Sequence, residues 1–341
     1  MESFSDMRVL VIGDIILDRY IWGEVERICP EAPVPVVDVT RETSMLGGAA
    51  NVVTNLRSLG VQIHLFGVVG NDIASESIRA HLKQIQVNAG GLIVDAVRPT
   101  SQKTRVVAGH QQVVRFDHED RTGIDVSILK RGYDYIQKIW SSLDGVILSD
   151  YGKGVISPFL ISFIESLNGK DKKIIAVDPK ERNMHAYQRV TLVTPNRNEA
   201  GFAVGQKLIS QQDVKEAGLK ILNQLNCENV VITLGAHGMA LFERSGHYLQ
   251  IPTFAKEVFD VSGAGDTVIA VLTLALCCGA TLSEAVALAN YAAGVVVGKL
   301  GTATVTPQEL KKYIQLEKFR LSKKNLTYMS PSLSSSPAIS H

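Results

Sequence analysis

The segment Arg8-Val-Leu-Val-Ile-Gly13 is apolar at successive rather than alternate positions. A strand of that kind has to be covered on both faces, which happens in a parallel sheet sandwiched between helices. Similar runs recur at Val61–Val69, Val146–Ser149, Lys173–Asp178, Val190–Thr194 and Asn229–Leu234. Helix-compatible stretches lie between them, up to Leu59, over Ser75–Ile85 and around 157–167. Strands and helices alternating over most of the chain predict an α/β fold, a doubly wound and mainly parallel sheet flanked by helices. Two segments break the pattern, at about 20–42 and 97–117. Pro30, Pro33 and Pro35 punctuate the first, and Gly109-His110 splits the second like a hairpin turn. They predict a small β-subdomain outside the main sheet, a lid or a clasp; edge strands of the main sheet are the alternative.

Asp260-Val-Ser-Gly-Ala-Gly-Asp-Thr267 precedes the apolar run Val268–Leu276. Glycines ahead of a buried helix let backbone N–H groups converge without Cβ interference. Those groups and the helix dipole favour an anion such as phosphate. An aspartate in that turn opposes an anionic guest, unless it accepts a proton from a hydroxyl attacking phosphorus. Gly263 and Gly265 then frame the oxyanion site, with Asp266 as general base. The stretch alone is equally compatible with an ordinary helix start capped by Asp266. A dinucleotide G-x-G-x-x-G is excluded because position 268 is Val, and no G-x-x-x-x-G-K-[ST] phosphate loop occurs.

Polar residues recur where the apolar runs end, and ligands of open α/β sheets bind beyond the carboxyl ends of strands. Asp14 and Asp18 follow the first run and can grip sugar hydroxyls, although Asp14 is also suited to capping a turn. Gly47-Gly48 permits close backbone approach, and Asn51 offers hydrogen bonds. Farther along come Asp150, Lys153, Asp178, Lys180, Asn196-Arg-Asn-Glu199 and Thr233-Leu-Gly-Ala-His-Gly238. Glu199 is a candidate for a water-mediated Mg²⁺ contact; a first-turn glutamate favoured by the helix dipole is its rival. Lys180 and Arg105 can hold an anionic group of the acceptor, solvated surface charge being the ordinary alternative. The small-residue helix over 285–298 packs closely or leaves room for a flat ring.

Lys and Arg (35) balance Asp and Glu (34), so charge points to neither a nucleic-acid nor a membrane partner. Cys29, Cys227, Cys277 and Cys278 lack C-x-x-C spacing and read as reduced core thiols. With no signal-peptide pattern and no apolar run long enough to span a bilayer, the expectation is a soluble cytoplasmic protein. Residues 1–318 form the expected domain, and the Ser/Pro-rich stretch 319–341 a disordered tail.

With these residues together, the chain resembles the PfkB/ribokinase family of carbohydrate kinases. Gly47-Gly48, Asn196-x-x-Glu199, Thr233-x-Gly235-x-x-Gly238 and Asp260–Asp266 occur in family order. Pro30–Val36, Leu148–Gly154, Asp178-Pro-Lys180 and Ala293–Thr302 resemble the heptose 7-phosphate branch of that family. The resemblance implies ATP-dependent phosphorylation of a sugar's anomeric hydroxyl with Mg²⁺, K⁺ being a weaker expectation. It implies Asp266 as base and Gly263, Ala264 and Gly265 around the anion hole. Asn196, Arg197, Asn198, Glu199, Thr233, Gly235, Gly238 and Asn290 would then face the nucleotide. Asp14, Asp18, Gly47, Gly48 and Asn51 would bind the sugar, with Arg105, Asp178 and Lys180 at its phosphate end. It also implies a homodimer formed through the β-lid. The bifunctional members of that branch continue into a nucleotidyltransferase domain, and no H-x-G-H-like motif follows here, so the expectation is a kinase working beside a separate adenylylating protein.

Overall fold

The computed structural model describes residues 2–109, 111–255, 258–299 and 301–316; the 319–341 tail lies outside them. In chain order the strands are β1 (Arg8–Gly13), β2 (Ile15–Ile28), β3 (Pro35–Gly48), β4 (Gln62–Val69), β5 (Leu92–Val94), β6 (Ser101–Ala108) and β7 (Gln111–His118). There follow β8 (Gly145–Ser149), β9 (Ile174–Asp178), β10 (Leu192–Val193), β11 (Asn229–Thr233), β12 (Met239–Glu243) and β13 (Tyr248–Ile251). The helices are α1 (Ala49–Ser58), α2 (Ile73–Gln84), α3 (Val126–Ile139), α4 (Pro158–Asn168), α5 (Arg197–Val204), α6 (Gln211–Gln224), α7 (Ala264–Cys277) and α8 (Leu282–Val296).

Nine strands form the main sheet in the order β13-β12-β11-β10-β9-β8-β1-β4-β5. All neighbours are parallel except β11/β12 and β12/β13. The antiparallel edge pair is absent from the sequence-based expectation: the apolar run Met239–Phe242 of β12 resembles those of the parallel strands and does not tell its direction, and β13 is short and part-buried. Alternate side chains explain the two buried faces. Val9, Val11, Ile147, Ala176 and Val231 pack on one side with α1, α2, α7 and α8. Leu10, Ile12, Leu148, Val177 and Ile232 pack on the other with α3, α4, α5 and α6.

The chain runs from β1 to β4 on one side and later returns to β8 on the other, so the switch point lies at β1. Gly13, Ser149 and Asp178 are level across β1, β8 and β9. Asp14, Asp150 and Asp178 therefore reach the same end of the sheet, and Thr233 ends β11 beside them.

The irregular segments form a separate four-stranded sheet in the order β3-β2-β6-β7, hence a lid and not edge strands of the main sheet. Its strands are longer than expected: β2 leaves β1 after the single residue Asp14, and β3 continues through Gly47-Gly48 to the first residue of α1. Gly48 makes that junction with φ +58°, and a Cβ there would fall 2.4 Å from the Asp14 carbonyl oxygen. We expect Gly48→Ala to cost about 1–3 kcal/mol of stability, measurable by denaturant unfolding.

Candidate active site

Asp266 occupies the first turn of α7, whose N-cap is Gly263 with φ 77°. A helix start leaves its first amides without intrahelical acceptors, so this turn offers N–H groups beside a carboxylate. The carboxylate is 4% exposed and is held from two sides. Asn51 of α1 donates Nδ2 to Oδ2 at 2.7 Å, and Tyr151 donates its hydroxyl to Oδ1 at 2.8 Å. Behind them, Thr267 donates to Asn55 Oδ1 at 2.8 Å, and Asn55 donates to the Asn51 carbonyl at 2.9 Å, tying α7 to α1. Burial raises the Asp266 carboxyl to about 6; the Asn51 and Tyr151 hydrogen bonds oppose that rise, and Asp18 adds to it. A carboxylate in that range is ionised at neutral pH yet basic enough to take a proton in a transition state.

The other acidic residues have different occupations. Asp14 accepts backbone N–H bonds from Tyr151 (2.9 Å), Lys153 (3.0 Å) and Val155 (3.1 Å). Three of the roughly four acceptor positions of a carboxylate are thus taken by the 151–155 loop, so the buried Asp14 organises that loop and lines neither of the two cavities that meet at Thr233. Burial raises its carboxyl to about 6 despite these bonds. Asp150 is enclosed by the Gly152 amide, Asn183 and Tyr187. Asp18 accepts from Arg105 at 2.6 Å, and a Cβ on Gly47 would lie 2.0 Å from Asp18 Oδ2. Arg105 also stacks over the Tyr20 ring at 5.2 Å.

Two cavities meet at Thr233, Gly265 and Val268. One, of about 340 Å³, is mainly apolar: Ala236, Ala255, Val261, Ala293, Gly294 and Val297 line it, with Gly235, Gly238, Ala264 and Asn290. Asn290 faces this space while donating its amide to the Pro252 carbonyl at 2.7 Å. The other cavity, of about 200 Å³, is polar and holds Tyr151, Asp178, Lys180, Asn196 and Glu199. Asn196 caps α5 in a reciprocal box: its side chain accepts the Glu199 amide at 3.0 Å, and Glu199 Oε2 accepts the Asn196 amide at 2.9 Å. Glu199 Oε1 accepts from Lys180 at 2.8 Å. Among the described residues no group donates to the Asp178 carboxylate. Burial, with Asp266 and Glu199 nearby, holds it well above the usual carboxylate range.

Most of the candidate residues converge here, with a regrouping. Lys180 and Asp178 sit with Glu199 in the polar cavity, whereas Arg105 pairs with Asp18 from the lid, so the three do not form the single anion-binding group expected for a sugar phosphate. Arg197 and Asn198 line a separate surface groove with Phe202 and Ile209, because a helical turn points them away from Glu199. Tyr151 is the site residue missing from the sequence-based candidates. A lone aromatic after a strand has no distinguishing spacing; it lies in the Leu148–Gly154 stretch that carries the family resemblance, but no role attaches to it there.

The comparisons agree with this architecture. Residues 6–309 match the model of the pfkB family carbohydrate kinases. The chain is 44% identical over 310 residues to "Bifunctional protein HldE" of Citrifermentans bemidjiense, covering 91% of this chain and 63% of the relative. It is 45% identical to the protein of that name from Desulfatibacillum aliphaticivorans, covering 92% and 64%. The chain thus spans less than two thirds of these relatives' length. Among solved structures, Escherichia coli phosphofructokinase-2 in complex with substrates and products superposes with a TM-score of 0.77 at 21% identity, covering 91% of this chain and 99% of that one. Arabidopsis thaliana ribokinase complexed with ribose and ATP gives 0.71 at 18%, covering 90% and 98%; these two show the ribokinase fold. The fold is the one these sugar kinases have. The chain belongs to the pfkB family of carbohydrate kinases, and it is an ATP-dependent carbohydrate kinase.

Because folding raises the Asp266 carboxyl from 3.8 to about 6, the native state binds this proton more tightly than the unfolded chain. The associated stability is complete below the unfolded value and is lost as pH rises through the folded one. Asp266→Asn should therefore melt higher than the parent at neutral pH, the difference vanishing as pH falls towards 3.8. Calorimetry across that range checks the sign.

Proposed function

We propose that the chain phosphorylates the anomeric C1 hydroxyl of D-glycero-β-D-manno-heptose 7-phosphate, giving the 1,7-bisphosphate on the route to ADP-heptose and the lipopolysaccharide inner core. The observation that carries the catalytic part is the buried Asp266 carboxylate at the start of α7, beside that helix's opening amides. The substrate assignment is supported by the likeness to the bifunctional HldE proteins.

In this reading the apolar cavity takes the adenine and ribose, and the polar cavity takes the phosphates. Asp266 accepts the proton of the sugar hydroxyl as its oxygen attacks the γ-phosphorus, and the bond to the β-phosphate oxygen breaks. The α7 amides at Gly265 and Asp266 stabilise charge on the transferring group. Lys180 is near enough to exchange Glu199 for a phosphate oxygen. The donor set fits Mg²⁺, because Glu199 and the otherwise unbonded Asp178 are hard oxygen ligands in one small cavity. Bound there, Mg²⁺ would neutralise phosphate charge. K⁺ near the loop preceding α7 is an expected activator, and one solved neighbour, Escherichia coli phosphofructokinase-2, is in complex with potassium. The sugar lies between Asp18, Asn51 and Asp266, with Arg105 at the lid end.

A cytoplasmic homodimer completes the proposal. The lid exposes Val25, Val39, Val114 and Phe116, which pairing of two lids would cover. Sedimentation velocity should show a dimer that Phe116→Asp weakens, and a monomer at all concentrations would remove this part.

The deciding assay is ADP release with Mg²⁺, with and without K⁺, comparing heptose 7-phosphate, fructose 6-phosphate and ribose. Selective turnover of the heptose phosphate is expected, falling about 10²–10⁴-fold in Asp266→Asn. In the parent, kcat/KM should rise with pH through an inflection near about 6, where Asp266 ionises. Turnover of another sugar that still depends on Asp266 would keep the kinase and discard the heptose. Binding without turnover would point to a sugar-phosphate-binding regulator on the same fold.

A further inference from the structure

Tyr151 lies within Leu148–Gly154, yet neither spacing nor family likeness gives it a role. It stands two residues beyond β8 and lines the polar cavity. Its hydroxyl lies 2.8 Å from Asp266 Oδ1, while its own backbone amide donates to Asp14 Oδ2 at 2.9 Å. Two more amides of the loop, from Lys153 and Val155, end on the same Asp14 carboxylate. The loop is fastened again by the Lys153–Glu119 ion pair at 2.6 Å, which joins it to the end of the lid. The phenol is thus delivered to the base by a loop anchored at several points, one of them a buried carboxylate.

We propose that Tyr151 is a positioning residue for phosphoryl transfer: its hydroxyl keeps the Asp266 carboxylate ionised and turned towards the acceptor, and Asp14 sets Tyr151 through the backbone of the 151–155 loop. This rests on the reading of Asp266 as general base.

An ionised carboxylate has about four acceptor positions over two oxygens. Asn51 takes one on Oδ2 and Tyr151 one on Oδ1, which fixes the carboxylate plane and leaves a lone pair on each oxygen for the incoming proton. The other charged or titratable groups facing Asp266 are Asp18 on β2, itself neutralised by Arg105 of β6, and Asp178 at the end of β9. Asp266 helps hold the Asp178 carboxyl well above the usual carboxylate range, and Asp18 opposes ionisation of Asp266, as burial does. The hydrogen bonds from Asn51 and Tyr151 work in the opposite sense, since a donor to the charged form stabilises it. Tyr151 keeps its own proton: burial and the adjacent Asp266 hold the phenol well above its ordinary value of 10.0. The proton that moves in the reaction is the acceptor hydroxyl's, and it ends on Asp266.

The test uses the full chain with ¹³C-carboxyl-labelled aspartate, the Asp266 signal being the one lost in Asp266→Asn. In Tyr151→Phe the Asp266 titration midpoint should rise by about one pH unit, and the acid limb of kcat/KM for heptose 7-phosphate should rise with it. Incorporation of 3-fluorotyrosine at position 151, a stronger donor of the same shape, should move both downward. A midpoint unchanged in Tyr151→Phe overturns the proposal, as does a uniform fall in kcat with the acid limb in place, which marks a packing role. If Tyr151→Phe fails to give a cooperative melt, the fluorinated protein decides by the same signs. Retained turnover in Asp266→Asn would instead remove the base itself, an outcome separable from any result at Tyr151.

Discussion

The site depends on keeping a carboxylate charged where water is nearly excluded. Desolvation drives Asp266 towards its neutral form, and Asp18 pushes the same way; a carboxylate left to these influences would be a poor base at neutral pH. Two hydrogen bonds counter them, and each comes from an element that the fold must deliver accurately. Asn51 is in the first turn of α1, and Tyr151 rides the loop leaving β8. Much of the surrounding architecture can be understood as holding these donors in place. The α1–α7 polar ladder through Asn55 and Thr267 sets the first, and the three amides on Asp14 set the second.

The two cavities divide the chemistry by polarity. Small and apolar residues of α8 and the α7 start leave a slot suited to a flat aromatic ring, and the charged residues at the ends of β9 and the start of α5 surround the polar space. Gly265 belongs to both, so one residue at the start of α7 marks the boundary between the apolar and the polar space. Glu199 shows how one side chain serves two demands: one oxygen completes the α5 cap, while the other remains available to Lys180 or a hydrated cation.

The fold was legible because doubly covered strands leave an unmistakable mark: residues 8–13 and 145–149 are apolar at nearly every position. Asp266 was legible through its glycine-framed helix start, and Glu199 through the asparagine three residues before it. The side-chain network was less so. Lys180 and Arg105 are both long cations near strand ends, and nothing in their spacing says that one folds back on Glu199 while the other crosses to Asp18. The service of Asp14 to a loop 137 residues away, and the place of Tyr151 at the end of that connection, depend on β1 and β8 being sheet neighbours, a tertiary fact. The antiparallel β12–β13 edge was also missed, because the apolar run Met239–Phe242 looks like that of a parallel strand and does not reveal its direction, while β13 is short and part-buried.

The lid's construction bears on how the molecule assembles. Its two hairpins, β2–β3 and β6–β7, each close locally, but they are joined by a parallel seam between β2 and β6 whose partners are separated by some 85 residues, as in Ile16 with Ser101 and Arg19 with Thr104. Contacts of such sequence separation pay loop-closure entropy before they yield stabilisation. Asp18 and Arg105 lie on opposite sides of that seam. Their ion pair can form only after the hairpins have met, so the lid wall around Asp18 is among the last parts of the chain to acquire its native electrostatics.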